Sequence, residues 1–262
     1  MAIGGAMDHE DPVLAQEFIH RAGGASARIV ILPQASALPD TGENYVRQFL
    51  KFGAGQAAAL EFRHRAEAGT AEQLDLLRKA SGIFFAGGTQ MRLAVLYGGT
   101  RLEEELLAAY QRGCVIGGTS AGAAILSKTM IAYGKGGPTP REGMLQFSAG
   151  LGFTDKFIFD QHFRQRDRLG RLIYAVATNP GVLGIGLDEN TAVIIEDDRV
   201  ITVRGIGAVT VVDGRQISNT DVAEIEKRGA VAVSNLIIHV LTDGCRISNN
   251  EVFIPDKLSE SD

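Results

Sequence analysis

Residues 114–126 read Cys-Val-Ile-Gly-Gly-Thr-Ser-Ala-Gly-Ala-Ala-Ile-Leu, which is an apolar strand pattern, a glycine-rich turn and a helix-forming run. The turn fits G-x-S-x-G between Gly118 and Gly122. A sharp strand-to-helix turn of this kind holds its serine strained, with the hydroxyl exposed. We interpret Ser120 as a candidate nucleophile and the Ala121 N–H as an oxyanion donor. An ordinary tight turn and a phosphate-binding loop are the alternatives, although no lysine precedes the serine as in a Walker loop.

Strand-like and helix-like segments alternate around this turn through the first two-thirds of the chain. The predicted strands are Ile29–Leu32, Ala57–Phe62, Gly82–Ala86, Cys114–Ile116 and Lys156–Phe159. The predicted helices are Ala71–Ala80, Gln90–Tyr97, Leu102–Gln111 and Arg168–Thr178. Repeated β-α-β units indicate an α/β fold with a mostly parallel sheet and helices on both faces. Ligands of such sheets gather at the carboxyl ends of the strands.

Short strands joined by turns replace this pattern in the last third. They are predicted at Val182–Ile185, Thr191–Ile195, Val200–Val203, Val209–Val212, Asn235–Leu241 and Glu251–Ile254. The simplest interpretation is a single α/β domain over 1–262 with a β-rich C-terminal portion. Met1 lies almost inside the first strand, which leaves open whether residues upstream complete it.

Composition excludes several classes of protein. The 262 residues carry a net charge of −5 and are 45% hydrophobic, which argues against global disorder and against general binding of nucleic acid or anionic membranes. There is no apolar run of about 18 residues or more for a membrane span, and residues 1–10 do not resemble a signal peptide. The two cysteines, Cys114 and Cys245, make neither a disulfide framework nor a zinc site. We expect a cytoplasmic protein with no metal and no cofactor, in which Cys114 packs inside the strand that presents Ser120.

A serine nucleophile needs a base, and the chain has five histidines. His162 follows the strand Lys156–Phe159, at the edge predicted for Ser120, and is the best base by position. His64 and His9 stay open as alternatives. The other two are predicted to be a helix residue at the solvent edge, His20, and a structural strand residue, His239.

The imidazole of a base needs a carboxylate to orient it. Glu189 comes soon after the strand Val182–Ile185, so three strand ends would bring Ser120, His162 and Glu189 to one edge. Asp188 is the alternative, pointing the other way if the segment is extended. A second oxyanion donor is expected from the Gly87-Gly88 pair after Gly82–Ala86, with Gly88 favoured.

Five motifs in order along the chain resemble the cyanophycinase family. They are Ile3–Ala6, Gly87–Gln90, Gly117–Ala123, Asp160–Phe163 and Gly186–Ala192. The resemblance implies a fold similar to class I glutamine amidotransferases and flavodoxin, and a serine-type exopeptidase. Such enzymes degrade cyanophycin, a polyaspartate with arginine joined to each side-chain carboxylate, to β-aspartyl-arginine dipeptides. They are usually homodimers.

The same resemblance implies roles for individual residues. It makes Ser120 the nucleophile, His162 the base and Glu189 the acid. Six further residues would bind substrate: Gln90, Asp160, Gln161, Arg166, Arg168 and Arg171. The family's acidic residue after Ile-Gly-Gly-Ala is Met7 in this chain.

Charge complementarity gives some of these roles a physical basis. Guanidinium groups bind carboxylates in a bidentate manner, which suits the carboxylates of the polymer. We expect Asp160, as a buried carboxylate, to receive the guanidinium of the substrate arginine. For Arg164 we expect a solvated helix face with Asp167 as its counter-charge.

Two other functions stay open. One is an α-aspartyl dipeptidase of the same fold, and the other is a non-catalytic binder of phosphate or nucleotide at the glycine-rich edge.

Overall fold

The structure, a computed structural model, describes residues 1–8, 10–226, 228–249 and 251–255. Its strands in chain order are β1 (Ala2–Ile3), β2 (Arg28–Leu32), β3 (Gln56–Ala59), β4 (Gly82–Phe85), β5 (Val115–Thr119), β6 (Thr129–Gly134), β7 (Leu145–Ala149), β8 (Phe157–Gln161), β9 (Leu183–Leu187), β10 (Thr191–Glu196), β11 (Val200–Gly205), β12 (Val209–Asp213), β13 (Asn219–Thr220), β14 (Val233–Ser234), β15 (Ile237–Leu241), β16 (Arg246–Ser248) and β17 (Glu251–Phe253). The α-helices are α1 (Val13–Arg21), α2 (Thr41–Lys51), α3 (Ala71–Lys79), α4 (Gln90–Tyr97), α5 (Arg101–Gln111), α6 (Ala121–Ala124) and α7 (Leu169–Thr178). Three 3₁₀ turns lie at Gly24–Ser26, Arg65–Glu67 and Arg164–Arg166.

A nine-stranded sheet forms the centre, in the order β17-β16-β11-β10-β1-β5-β4-β2-β3. Strands β3, β2, β4, β5 and β1 run parallel to one another. From β10 outward the pairing is antiparallel. The residues of β4 are buried throughout, as expected for a parallel strand covered on both faces. The prediction of an α/β fold with a β-rich C-terminal portion is confirmed.

A separate four-stranded sheet has the order β15-β12-β9-β8, with β8 and β9 parallel. Helix α7 packs on it, since Leu172 and Val176 lie in a small core with Phe163 and Val212. The strands before His162 and Glu189 are therefore not in the sheet that carries Ser120. The expectation of three strand ends on one sheet edge needs this correction, because periodicity predicts strands but not their pairing.

Some element boundaries also differ from the prediction. Strand β5 runs on to Thr119 instead of ending at Ile116, because Gly117 pairs with β4 and Gly118 with both β4 and β1. A side chain at Gly117 would meet the Phe18 ring at 2.6 Å, so glycine lets helix α1 pack closely against the sheet. The β6–β7 hairpin and β16 were not predicted.

The cysteines and the helices can be compared with what the composition predicts. Cys114 and Cys245 are buried free thiols, and Cys114 directly precedes β5. Within the described part of the chain, we find no helix with the length and apolar character that crossing a membrane requires.

Candidate active site

Ser120 sits in the turn from β5 into α6 with φ 54° and ψ −114°. Its N–H donates to the Ile3 carbonyl at 2.9 Å, which ties the turn to β1. The flanking glycines are required by space: a Cβ on Gly118 would lie 2.2 Å from the Gly122 oxygen, and one on Gly122 would lie 2.1 Å from the Phe85 oxygen. The sequence thus dictates a tight, strained turn that presents the hydroxyl, as a nucleophile requires.

His162 lies directly after β8 and faces this serine. Its Nε2 is 2.9 Å from Ser120 Oγ, and its Nδ1 is 2.6 Å from Glu189 Oε1. The imidazole is mostly buried, whereas the Glu189 carboxylate is 36% exposed. The structure brings the three predicted residues together in a serine–histidine–carboxylate chain, the arrangement that activates a hydroxyl for nucleophilic attack.

The Gly4-Gly5 turn after β1 joins the two sheets at this point. The Gly4 carbonyl accepts the His162 N–H at 2.6 Å, and the Gly5 carbonyl accepts the Asn190 N–H at 2.9 Å. A Cβ on Gly5 would lie 2.3 Å from Cε1 and 2.6 Å from Nε2 of His162. Gly5 also has φ 111°, so both space and conformation require glycine beneath the imidazole.

Four of the ten described non-glycine residues with positive φ lie around the site. They are Ala6 (φ 45°), Ser120 (54°), His162 (49°) and Asn190 (48°). A non-glycine residue in a sparsely populated backbone region costs about 1–3 kcal/mol, less for asparagine. The surrounding sheets impose these conformations, which is typical of functional sites.

Burial lowers the pKa of His162 below its ordinary value of 6.5. The hydrogen bond that His162 donates to the Glu189 carboxylate opposes this by raising the pKa, while the positive charges of Arg166 and Arg168 lower it further. The lowered pKa favours the neutral form of the imidazole. A neutral Nε2 can accept the proton of Ser120.

Asp188 and Glu189 have opposite surroundings. Asp188 is buried, and its carboxylate accepts from the Arg164 N–H at 3.0 Å, Arg164 Nε at 3.3 Å and the Ala208 N–H at 3.1 Å. The alternative acid therefore points away from His162. The counter-charge of Arg164 is Asp188 and not the predicted Asp167, although the Arg164 side chain is exposed as expected.

Asp160 lies at the centre of a buried ionic cluster. Its carboxylate receives Arg168 Nη1 at 3.1 Å, Arg171 Nε at 2.6 Å and Arg171 Nη2. Arg168 also donates to the carbonyl and side chain of Gln161. Burial lowers the pKa of Arg168 to about 10, so it stays charged at neutral pH. The counter-charge of Asp160 is thus supplied within the chain, and not by substrate as we expected from the sequence.

The remaining predicted site residues lie around the triad. Arg166 is exposed in the 3₁₀ turn just beyond His162. Gln90 begins α4 and donates from Nε2 to the carbonyls of Ile131 and Ala132 at 3.0 and 2.7 Å. Gly87 lies beside Ser120, where a Cβ would be 3.9 Å from Oγ, and Gly88 follows it with φ 141°. Gly88 and Ala121 as oxyanion donors stay a prediction.

The other histidines lie elsewhere or outside the described residues. His64 caps the 3₁₀ turn Arg65–Glu67, His20 is exposed on α1, and His239 lies half-buried in β15. His9 falls outside the residues that the structure describes. His162 is the histidine placed against Ser120.

The sequence pattern did not indicate the role of one supporting residue, Gln165. Gln165 Oε1 accepts the Glu189 N–H at 3.2 Å and so anchors the segment that bears the carboxylate. Its place within an arginine-rich run gave no signal, because the bond joins segments from two different strand ends.

Comparisons with known proteins identify the family of the chain. The sequence model described as peptidase family S51 matches residues 1–203. A cyanophycinase of Synechococcus elongatus is 40% identical over 250 residues, 93% of this chain and 77% of that protein. A cyanophycinase of Geminocystis herdmanii is 39% identical and covers 94% of this chain and 92% of that protein.

A solved structure extends the agreement to the fold. The crystal structure of a peptidase from an acI-B1 Actinobacterium superposes with a TM-score of 0.68 at 21% identity, covering 94% of this chain and 95% of that one. At that identity the likeness concerns the fold alone. The family match and the curated relatives show that this chain belongs to peptidase family S51.

Proposed function

We propose that this chain is a serine exopeptidase that hydrolyses the polyaspartate backbone of cyanophycin and releases β-aspartyl-arginine dipeptides. The observation that carries the proposal is the hydrogen-bonded chain from Ser120 through His162 to Glu189, at 2.9 and 2.6 Å. It lies next to a cationic segment that suits a substrate rich in carboxylates. The names of the curated relatives supply the substrate.

The reaction is acyl transfer to water. His162 Nε2 takes the proton of Ser120 as Oγ bonds to the peptide carbonyl carbon. The imidazolium, held by Glu189, then gives this proton to the leaving amine as the C–N bond breaks. Water attacks the ester with His162 again as base, and breaking of the ester bond returns the proton to Ser120.

The negative charge on the attacked oxygen needs donors close by. We assign the Ala121 N–H, since the first N–H groups of a helix have no acceptor within it. The Gly88 N–H is the second donor. Helix α6 has only four residues, so these groups act as individual hydrogen-bond donors and not through a helix dipole.

The proposed substrate-binding residues differ in exposure. Arg166 is exposed and Gln90 half-buried, and we assign both to contact with the unit being released. Gln161 is buried and hydrogen-bonded to Arg168. Asp160 with Arg168 and Arg171 forms the buried wall behind them, with side chains at most 9% exposed. Arg168 Nε is buried and has no hydrogen-bond partner among the described residues.

We further propose that the enzyme works in the cytoplasm, as a homodimer and as a single domain. A cytoplasmic enzyme would meet cyanophycin inside the cell, so cell fractionation should recover activity from the cytoplasm. Light scattering on the purified chain tests the dimer.

Purified protein incubated with cyanophycin tests the central proposal. Mass analysis should find one dipeptide species, β-Asp-Arg, and Ser120→Ala should release none. A parallel panel of α-Asp-X and isoaspartyl dipeptides tests the dipeptidase alternative. Cleavage of Asp-X with an intact polymer would overturn the proposal, as would failure of a serine-directed fluorophosphonate to label Ser120.

A further inference from the structure

A cationic groove lies beside the candidate site, on the turn of the β6–β7 hairpin. It has a volume of about 660 Å³, within the range of about 300–1,000 Å³ typical of sites for small ligands. Its lining includes Tyr133, Lys135, Arg141, Glu142 and Arg228. We call it the hairpin groove. None of these residues takes part in the chemistry described above.

The charges of the hairpin groove are unbalanced. Lys135, Arg141 and Arg228 are all exposed, and within the described ranges none of the three forms an ion pair. Glu142, half-buried, accepts the Arg228 N–H at 3.0 Å. A local excess of cations in a chain of net charge −5 favours an anionic ligand.

The groove is continuous with the segment that follows His162. Arg171 Nη1 donates to the Gly134 carbonyl at 3.2 Å, and the Gly170 N–H donates to the Gly137 carbonyl at 2.9 Å. A Cβ on Gly136 would lie 2.2 Å from the Arg166 oxygen. The hairpin turn is thus pressed directly against the backbone of Arg166, so the groove adjoins the segment that follows His162.

We propose that the hairpin groove binds β-aspartyl-arginine units of the retained polymer, beyond the two units that flank the cleaved bond. This rests on the proposed function. Each unit carries the α-carboxylate of its arginine, which the three cations bind, and a guanidinium, which Glu142 and the 54% exposed Tyr133 ring receive. An extended aspartyl backbone advances about 3.3–3.6 Å per residue, so each further unit of the retained polymer lies that much farther from the cleaved bond.

Direct binding tests the inference independently of turnover. In the Ser120→Ala background, calorimetry compares a two-unit oligomer with a six-unit oligomer. The triple variant Lys135→Gln/Arg141→Gln/Arg228→Gln should weaken binding of the six-unit oligomer about tenfold, in the range for three exposed ion pairs. Binding of the two-unit oligomer should not change. The difference should shrink with added salt.

A matched control separates this site from total charge. Lys128, Arg199 and Arg246 are exposed cations outside the groove, and changing all three to glutamine removes the same charge. The control should bind both oligomers as the parent does. Equal loss on both oligomers, no loss on the longer one, or the same loss in the control would overturn the inference. If the parent binds in this pattern but does not cleave cyanophycin, the proposed function fails and the groove assignment stands.

Discussion

The two sheets contribute differently to the candidate site. The nine-stranded sheet delivers Ser120 from β5, which is paired with β4 on one side and β1 on the other. The four-stranded sheet delivers His162 and Glu189 from the parallel neighbours β8 and β9. The His–Glu pair is thus set within one sheet, whereas the Ser–His contact depends on how the two sheets meet. Substitutions in the two regions should therefore have distinguishable effects.

Removal of the hydroxyl from the nine-stranded sheet should have the largest effect. Ser120→Ala should lower turnover at least about 10⁴-fold, since a nucleophile and its base act as a unit. Melting followed by circular dichroism should be nearly unchanged, because Oγ contacts only the His162 ring among the described hydrogen bonds. Turnover at the wild-type rate would show that another residue attacks the substrate.

Removal of the Glu189 charge, which the four-stranded sheet contributes, should have the second-largest effect on turnover. Glu189→Gln keeps the shape but does not stabilise the imidazolium, so kcat should fall about 10²–10⁴-fold. Glu196→Gln, an exposed carboxylate paired with Arg21, is the matched control and should retain its activity. Equal activity in both variants would exclude Glu189 as the orienting acid.

A change at the junction of the sheets should have a smaller but substantial effect. The new Cβ of Gly5→Ala displaces the His162 ring, and a shift of about 1 Å costs about 10²-fold in turnover. Gly53→Ala is the control, because Gly53 has φ 106° and a Cβ added there would have no atom within 4 Å. Steady-state kinetics should separate the two variants. Similar losses in both would mean that backbone strain, and not the displaced ring, is responsible.

The smallest effect should be on the pH profile. His162 must be neutral to act, so kcat/KM falls as the pH drops through its pKa. Arg166 lowers that pKa, and therefore Arg166→Gln should move the acidic limb to higher pH. Arg164→Gln is the control, since its guanidinium pairs with Asp188 and is not among the main causes of the shift in the pKa of His162. A shift to lower pH, or the same shift in both, would contradict the electrostatic role of Arg166.

Local pattern was enough to predict much of the site. The strand, turn and helix around Ser120 and the strand before His162 follow from apolar runs and glycines. What could not be predicted depends on pairing between distant segments. The division into two sheets, the Gly5–His162 contact and the Gln165–Glu189 bond each join residues far apart in sequence. Asp160 could be predicted as buried, but not that Arg168 and Arg171 would neutralise it.

The left-handed residues around the triad have a consequence for heat inactivation. The packing of the two sheets maintains costly backbone conformations at four residues near the site: Ala6, Ser120, His162 and Asn190. Such segments open locally with less free energy than the core strands. On heating, activity should therefore disappear several degrees before the sheets melt. Assays on samples cooled quickly from that interval should recover full turnover, which would distinguish a reversible loosening of the turns from aggregation.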